Sequence, residues 1–340
     1  MATTYKEFFG NDKTTTTTLL HENIPITGSL VSGTYSDNNI QNFTHKRFQS
    51  VYDYPYLSSS ANHILDISVG ISAQSAISGA TSGHNDIAEK RQMYNLMAQT
   101  LSGYDTTGSI KRFDRDGNTD TTGDNFDDCV FLSFSRLLVK DEIKKGTVSL
   151  ELGTGSYSNP FAAVHTITDD NAANNYKINS PAGEYGLLYT GSSAGTPVGH
   201  VYYQSGIMVL TASVFAQADG EDFSGSFALS ASLSGSDIQQ ISDVVRHRIK
   251  NISFNNTVEL NSTIFFCRID HNEFNYSANP SYLSESQIRV KETAADNPVS
   301  YITTVGLYGA DDELLAVAKL SEPLKKTPEN SLILRTRLDF

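Results

Sequence analysis

The last forty or so residues limit the fold more than any other stretch. Between Val299 and Phe340, two apolar runs flank Gly309, Ala310, Asp311 and Asp312, which is the chemistry of a hairpin turn between strands. A third run, Ser331 to Leu338, alternates Leu332, Leu334, Thr336 and Leu338 with Ile333, Arg335 and Arg337. A period of two puts those sets on opposite faces of a strand. Chain ends usually fray unless they are paired into a sheet. The pattern up to Phe340 therefore predicts a terminal strand built into something larger.

The 340 residues give room for one large or two moderate domains with a real core. Hydrophobic residues are 39% and charged residues 19%, and Ser, Thr, Asn and 24 glycines fill the remainder. With no Trp but 17 Tyr and 17 Phe, this composition suits a β-rich chain with many loops. The formal net charge of −13 argues against nucleic acid as the main partner, because phosphate-gripping surfaces are basic. No run approaches the roughly 20 apolar residues of a membrane span, and Met1 to Lys6 lacks the start of a secretory signal. Five N-x-Ser/Thr sequons, opening at Asn42, Asn251, Asn255, Asn261 and Asn275, reflect Asn/Ser/Thr richness. Cys129 and Cys267 both sit in apolar, strand-like runs. Buried free thiols fit that setting, and a disulfide stays open because sequence does not set their separation.

Three regions follow. Residues 1–60 read as an arm with short strands at most, around Ser29–Tyr35 and Phe48–Tyr54; Thr14 to Thr18 is a homopolymer. Such an arm is either floppy or ordered against a neighbouring copy. Residues 61–235 read as a β-rich domain with a helix from Asp86 to Leu101, capped by Asp86 with Glu89 and stopped at Gly103. Its apolar stripe is Ile87, Tyr94, Met97 and Leu101, with Lys90 and Arg91 mostly opposite. Residues 236–340 hold a second helix, Ser236 to about Ile249, and then strands, or continue the preceding domain. Further strands are predicted at Ile64–Ile71, Ser109–Phe113, Val130–Val139, Thr147–Leu152, Val164–Thr168, Gly186–Thr190, His200–Gln204, Met208–Phe215, Ser226–Ala231, Ile252–Phe254, Val258–Ile269 and Gln287–Lys291. The expected fold is mainly β: a β-sandwich-like body, two amphipathic helices each covering a sheet face, and an extended N-terminal arm.

Chemistry-bearing motifs are sparse. Asp114, Asp116, Asn118 and Asp120 offer oxygens at alternate positions, as calcium requires. The pattern then fails, because Thr119 stands where an EF-hand has Gly and Asn125 where it has Glu; a solvated acidic loop explains the residues as well. Asp127-Asp128 and Asp169-Asp170 are adjacent acids that fit a solvated loop. The eight histidines form no zinc spacing, and no nucleophile elbow, dinucleotide loop or phosphate loop is present. Tyr52, Tyr54, Tyr56, Tyr157, Tyr202 and Tyr203 suit sugar stacking or plain strand packing. Arg246, His247 and Arg248 occupy a helix whose other face is apolar, which reads as a polar face or an interface.

Six stretches together carry a resemblance: ANHILDISVGIS (61–72), RQMYNLMAQTLSGYD (91–105), SRLLVKDEIKKGTVSLELGTGS (135–156), NSPAGEYGLLYT (179–190), RHRIKNISFNNTVELNSTIFFCRIDHNEFNYSANPSYL (246–283) and ITTVGLYGADDELLAVAKLSEPLKK (302–326). They resemble a family of virion structural proteins of tailed bacteriophages, chiefly the T4-like marine myoviruses of cyanobacteria. The resemblance implies a non-enzymatic virion component, assembled in the host cytoplasm, without fixing its position; the tail, baseplate or tail-attachment region is the expected place. It implies no cofactor, no nucleic-acid or membrane partner, and contacts with other virion proteins and with copies of itself, in a trimer or hexamer. Virion proteins need self-complementary or head-to-tail surfaces. The residues expected to supply them are Thr14, Thr18 and Leu20 in the arm, Arg246, His247 and Arg248 on the helix, and Tyr301, Tyr308 and Leu315 in the hairpin. Other readings are a receptor-binding fibre that grips a host glycan, a capsid decoration or neck protein, and a calcium-assisted sugar hydrolase.

Overall fold

The computed structural model describes residues 5–31, 39–53, 62–79, 86–118, 124–155, 159–191, 195–215, 233–277, 283–284, 287–288, 293 and 295–340. The chain is mainly β, 47% strand and 16% helical. It forms two compact units: a larger one, Leu20–Val258, and a smaller one joining Met1–Leu19 to Glu259–Phe340.

The elements run β1 (Lys13–Thr27), α1 (Gly28–Val31), β2 (Ile40–Asn42), β3 (Gln49–Tyr52), β4 (His63–Ile71), α2 (Ile87–Leu101), β5 (Phe113–Asp114), β6 (Asn125–Phe126), β7 (Asp128–Phe134), α3 (Arg136–Val139), β8 (Glu142–Ile143), β9 (Ser149–Gly153), β10 (Val164–Thr168), β11 (Tyr185–Thr190), β12 (Pro197–Tyr202), β13 (Ile207–Thr211), α4 (Ile238–Arg248) and β14 (Ile249–Ile269). The last five strands are β15 (Leu283–Ser284), β16 (Gln287–Ile288), β17 (Ser300–Tyr308), β18 (Leu314–Lys326) and β19 (Leu332–Asp339). One large sheet has the order β1-β14-β9-β10-β11-β12-β13-β7-β4-β3-β2, with β8 and β19 also on β14. β17 and β18 form a separate hairpin.

Alternation explains the larger unit. In β7, Val130, Leu132 and Phe134 join one apolar core with Leu65, Ile67 and Val69 of β4 and Met208 and Leu210 of β13. Cys129 and Phe131, one step out of phase, join a second core with Tyr185, Leu187, Tyr202 and Val209. A strand with both parities apolar is buried on both faces, which gives a sandwich-like body. α4 adds Ile238, Ile241, Val244 and Val245 to the first core. It starts at a capping box in which Asp237 Oδ1 accepts from Gln240 N (2.8 Å) and Gln240 Oε1 accepts from Asp237 N (3.1 Å).

Several expectations change. The Thr run is no short-strand arm but part of a 15-residue strand, because β-branched residues favour extended backbone. Ser29–Tyr35 opens with the single helical turn α1, and its remainder lies outside the described residues. α2 begins without the expected box: Asp86 has φ of 52° and makes no side-chain cap. Gly103 does stop α2, at φ of 80°, its N–H donating to Ala98 O at 2.9 Å. Lys90 turns inward and is fully buried, Nζ donating to Leu233 O (2.8 Å) and Ser236 O (2.6 Å).

Of the strand expected over 109–113, Ile110 makes a single antiparallel bridge to Tyr104 and Phe113 opens β5; the turn before it is held by Asp105 Oδ1, which accepts from Thr107 N and Ser109 N. Strands expected to reach Val139 and Phe215 stop at Phe134 and Thr211. The two strands predicted across 252–269 are one of 21 residues; Asn256 does not break it, because its Nδ2 donates to Leu138 O at 2.9 Å. Asp169 is buried rather than solvated, accepting from Gly146 N, Val148 N and Tyr203 OH. Burial pushes its carboxyl up to about 6. The strand expected at 226–231 lies outside the described residues.

α2 packs on β4 where Gly70 leaves room. An added Cβ there would meet Tyr94 N at 2.7 Å and Phe131 Cε2 at 2.8 Å. Gly70→Ala is expected to destabilise the larger unit by about 1–3 kcal/mol, read as a lower urea midpoint. Burial lowers Lys90 to a pKa of about 8, against the pull of Asp86 and Asp237. From about pH 8 to the ordinary value of 10.5, the unfolded chain holds a proton that folded Lys90 has released, so stability rises with pH across that window. Lys90→Met is expected to abolish this rise; urea midpoints of the two chains at neutral and alkaline pH measure the difference.

Candidate assembly surface

The smaller unit is assembled by backbone pairing and polar contacts. β14 is its central strand, and β19 pairs with it from Ser262↔Asp339 to Ile269↔Leu332. On β14's other side, Thr17 Oγ1 donates to Asn261 Oδ1 (2.8 Å) and Arg268 Nε donates to Asp12 Oδ1 (2.5 Å). These contacts run in opposite directions along the two strands, as antiparallel neighbours must. The hairpin turns where expected: Gly309 N donates to Glu313 O at 2.8 Å, with Asp312 left-handed at φ of 61°. Lys6 bridges Asp270 (3.0 Å) and Glu273 (2.6 Å), holding its own pKa up and that of Glu273 down. Lys326 is buried at the hairpin base, Nζ donating to Asn275 Oδ1 (2.8 Å), Thr327 O (2.8 Å) and His271 O (3.0 Å).

Among its described residues this unit has no apolar core of its own. Among its described residues only two apolar side chains are buried, Ile269 and Leu307, and neither belongs to the two apolar cores of the chain. A folded unit of about 100 residues normally buries well over half of its surface around such a core. Here large apolar groups face outward instead: Leu315 is 68% exposed, Ile333 62%, Tyr301 54% and Val317 53%, with Tyr308 and Leu314 also exposed. Exposed apolar patches mark interaction sites, and near the hairpin turn Tyr308 lies opposite Leu314.

Of the residues singled out in sequence, Tyr301, at the base of this hairpin, and Tyr308 and Leu315, near its turn, are exposed, Tyr308 with its ring 4.8 Å from that of Tyr5. Thr14, Thr18 and Leu20 are exposed on β1, the edge strand of the large sheet. Arg246 and Arg248 are corrected: both are buried inside the larger unit, not offered to a partner. Arg246 donates to Asp243 Oδ1 (2.8 Å), Gln49 Oε1 (3.1 Å) and Val31 O (3.3 Å). Burial lowers the Arg248 guanidinium to about 10. His247 alone of the three is exposed. Leu314, Val317 and Ile333 were missed. The unbroken apolar run Leu314–Val317 was the available signal, since a run without alternation asks for cover on both faces.

Other candidates resolve differently. Asp116 accepts from Asn118 through both carboxylate oxygens, Asp114 lies in β5, and Asp120 lies outside the described residues. Among the described residues no three His, Cys, Asp or Glu side chains gather as a metal group. Tyr202 and Tyr203 are buried, which agrees with strand packing and not with sugar stacking, while Tyr54, Tyr56 and Tyr157 lie outside the described residues. Both cysteines are free thiols, and burial pushes that of Cys129 well up. A cavity of about 230 Å³ in the larger unit is lined by Arg112, Asp114, Asn125, Asn179, Tyr185 and His200 among others. His200 sits against Phe126 and Tyr185, each at 5.2 Å between rings; burial lowers its pKa to about 4, so it is neutral at neutral pH. No helix among the described residues is long and apolar enough to cross a membrane.

A sheet without a core opens at low free-energy cost. In dilute solution, amides of β17 and β18 are expected to exchange much faster than those of β4 and β7. Hydrogen-exchange mass spectrometry checks the order, and equal protection would show that the smaller unit is self-sufficient. No protein family, no curated protein and no solved structure matches this chain.

Proposed function

We propose that this chain is a non-enzymatic structural subunit of a tailed-phage virion, placed in the tail, the baseplate or the tail-attachment region. The observation that carries the reading is a strand unit with no apolar core among its described residues. Its backbone is paired and its turns are in place, yet Tyr301, Leu315, Val317 and Ile333 project outward. A polypeptide that keeps apolar strands uncovered is completed by association, and obligate assemblies often have no stable folded monomer.

The long edge strand β1 supports the same reading. Its side chains from Lys13 to Asn23 are exposed, and among them only Lys13 and Glu22 carry a formal charge. Uncovered edges are normally blunted by charge, bulges or Pro. Pro25 and Glu22 blunt the end of β1, whereas Thr14 to His21 carries no such device and is suited to backbone pairing with a neighbour. The resemblance to phage structural proteins supplies the kind of particle.

Mass spectrometry of purified particles, with antibody labelling in electron micrographs, tests the proposal. The expected result is the chain in stoichiometric amount, with label on the tail or its ends. A chain absent from mature particles, or one that turns over a polysaccharide on its own, overturns it.

A further inference from the structure

The cavity of about 230 Å³ in the larger unit is walled by hydrogen-bonding groups of both kinds. Asp105 stands at one side. Its Oδ1 accepts from Thr107 N (2.8 Å) and Ser109 N (2.9 Å), which leaves Oδ2 as an acceptor. Lys111 and Arg112 follow as donors. Arg112 Nη1 donates to Asp127 Oδ1 at 2.9 Å, which fixes a guanidinium that has further N–H groups to give. His200 adds a second acceptor. Its Nε2 lies 3.4 Å from Arg115 O and carries the proton toward it, so Nδ1 keeps a lone pair. Nδ1 is buried and has no hydrogen-bond partner among the described residues. An unpaired buried acceptor is costly, and a donor brought into the cavity removes that cost. The opposite wall is already tied in place: Tyr185 OH donates to Asn179 Oδ1 (2.7 Å), and Asn179 Nδ2 donates to Gly117 O (2.9 Å).

Charge and size narrow the ligand. Asp105 and Asp114 line the cavity with Lys111 and Arg112, and Asp127 offsets Arg112. An anion would meet the carboxylates, and a cation would meet Lys111 and Arg112. A metal ion would find no gathered set of three His, Cys, Asp or Glu side chains among the described residues. A neutral hydroxyl group both donates and accepts, so it matches a wall with donors and acceptors side by side. The volume lies below the roughly 300–1,000 Å³ of pockets for drug-sized ligands, which leaves room for a single ring.

We propose that this cavity binds one neutral, hydroxyl-rich ring, a pyranose, either free or at the end of a glycan. Lys111 and Arg112 donate to its hydroxyls, Asp105 and His200 accept from them, and its C–H groups lie against Leu101 and Ile110. The grip is by hydrogen bonds, so no exposed tyrosine face is needed. The inference concerns the larger unit alone and is independent of the virion reading.

The test is calorimetric and NMR titration of the full chain with methyl glycosides of glucose, galactose, mannose and N-acetylglucosamine, and with acetate and ethanolamine as charged probes. At least one glycoside is expected to bind saturably, more tightly than either charged probe. In a chain with isotope-labelled histidine, the His200 Nδ1 resonance, assigned with His200→Gln, should move on binding while the other histidines stay still. Lys111→Met should weaken binding by about three- to tenfold. So should Asp105→Asn, which keeps one oxygen for the Thr107 and Ser109 amides and turns the other acceptor into a donor. Lys319→Met, in the smaller unit, should leave binding unchanged. Unaltered urea midpoints separate a lost contact from misfolding. The same sugars at the ends of immobilised glycans distinguish the two sources: capture there marks a glycan end, and binding of the free sugar alone marks a small molecule. No saturable binding by any glycoside, tighter binding of acetate or ethanolamine, or an unmoved His200 resonance overturns the proposal.

Discussion

Side chains of a β-strand alternate between two faces, so every paired strand makes two surfaces that need either water-compatible residues or cover. The rest of this structure depends on how that requirement is met. In the larger unit both parities of β7 are apolar, and each enters its own core. Gly70 belongs to the same logic: where α2 lies on β4, a side chain would occupy the space that the helix backbone needs. In the smaller unit the same alternation is present without cover.

Polar contacts hold the smaller unit in shape without supplying a core. Lys326, Arg268 and Lys6 each tie separate segments together. Exposed ion pairs of the Lys6 kind contribute little, on the order of 0–1 kcal/mol each. They fix geometry and register rather than stability. Such a unit is arranged for association: its strands are already paired, so less ordering remains when a partner arrives. That division of labour, one unit with two apolar cores and one with exposed apolar strands, is what the proposed structural role would use.

The buried polar groups of the larger unit do different work. Arg246 joins α4 to β3 through Gln49 and to α1 through the Val31 carbonyl. Lys90 holds the carbonyls ahead of α4, and Asp169 gathers the Gly146 and Val148 amides. Each satisfies backbone or side-chain groups that would otherwise be costly to bury. Charged residues that look like surface features in a linear sequence thus serve the interior. A helical wheel cannot show this, because it reports angle and not depth: a helix packed on more than one side buries part of its polar face too.

Local pattern determined a good deal by itself. The turn at Gly309 to Asp312, the alternation of Leu332 to Leu338 and the apolar face of α4 all follow from short-range sterics and hydrogen bonding, so residue order alone displays them. Exposure of the hairpin was decided only by tertiary structure. Tyr301 and Leu315 have the composition of core residues, and whether other strands arrive to cover them depends on contacts between residues far apart in the chain. The fusion of two predicted strands into β14 and the burial of Arg246 and Arg248 have the same origin. Pairing partners and burial depth are set by distant segments, and a local sequence carries no record of which distant segment reaches it.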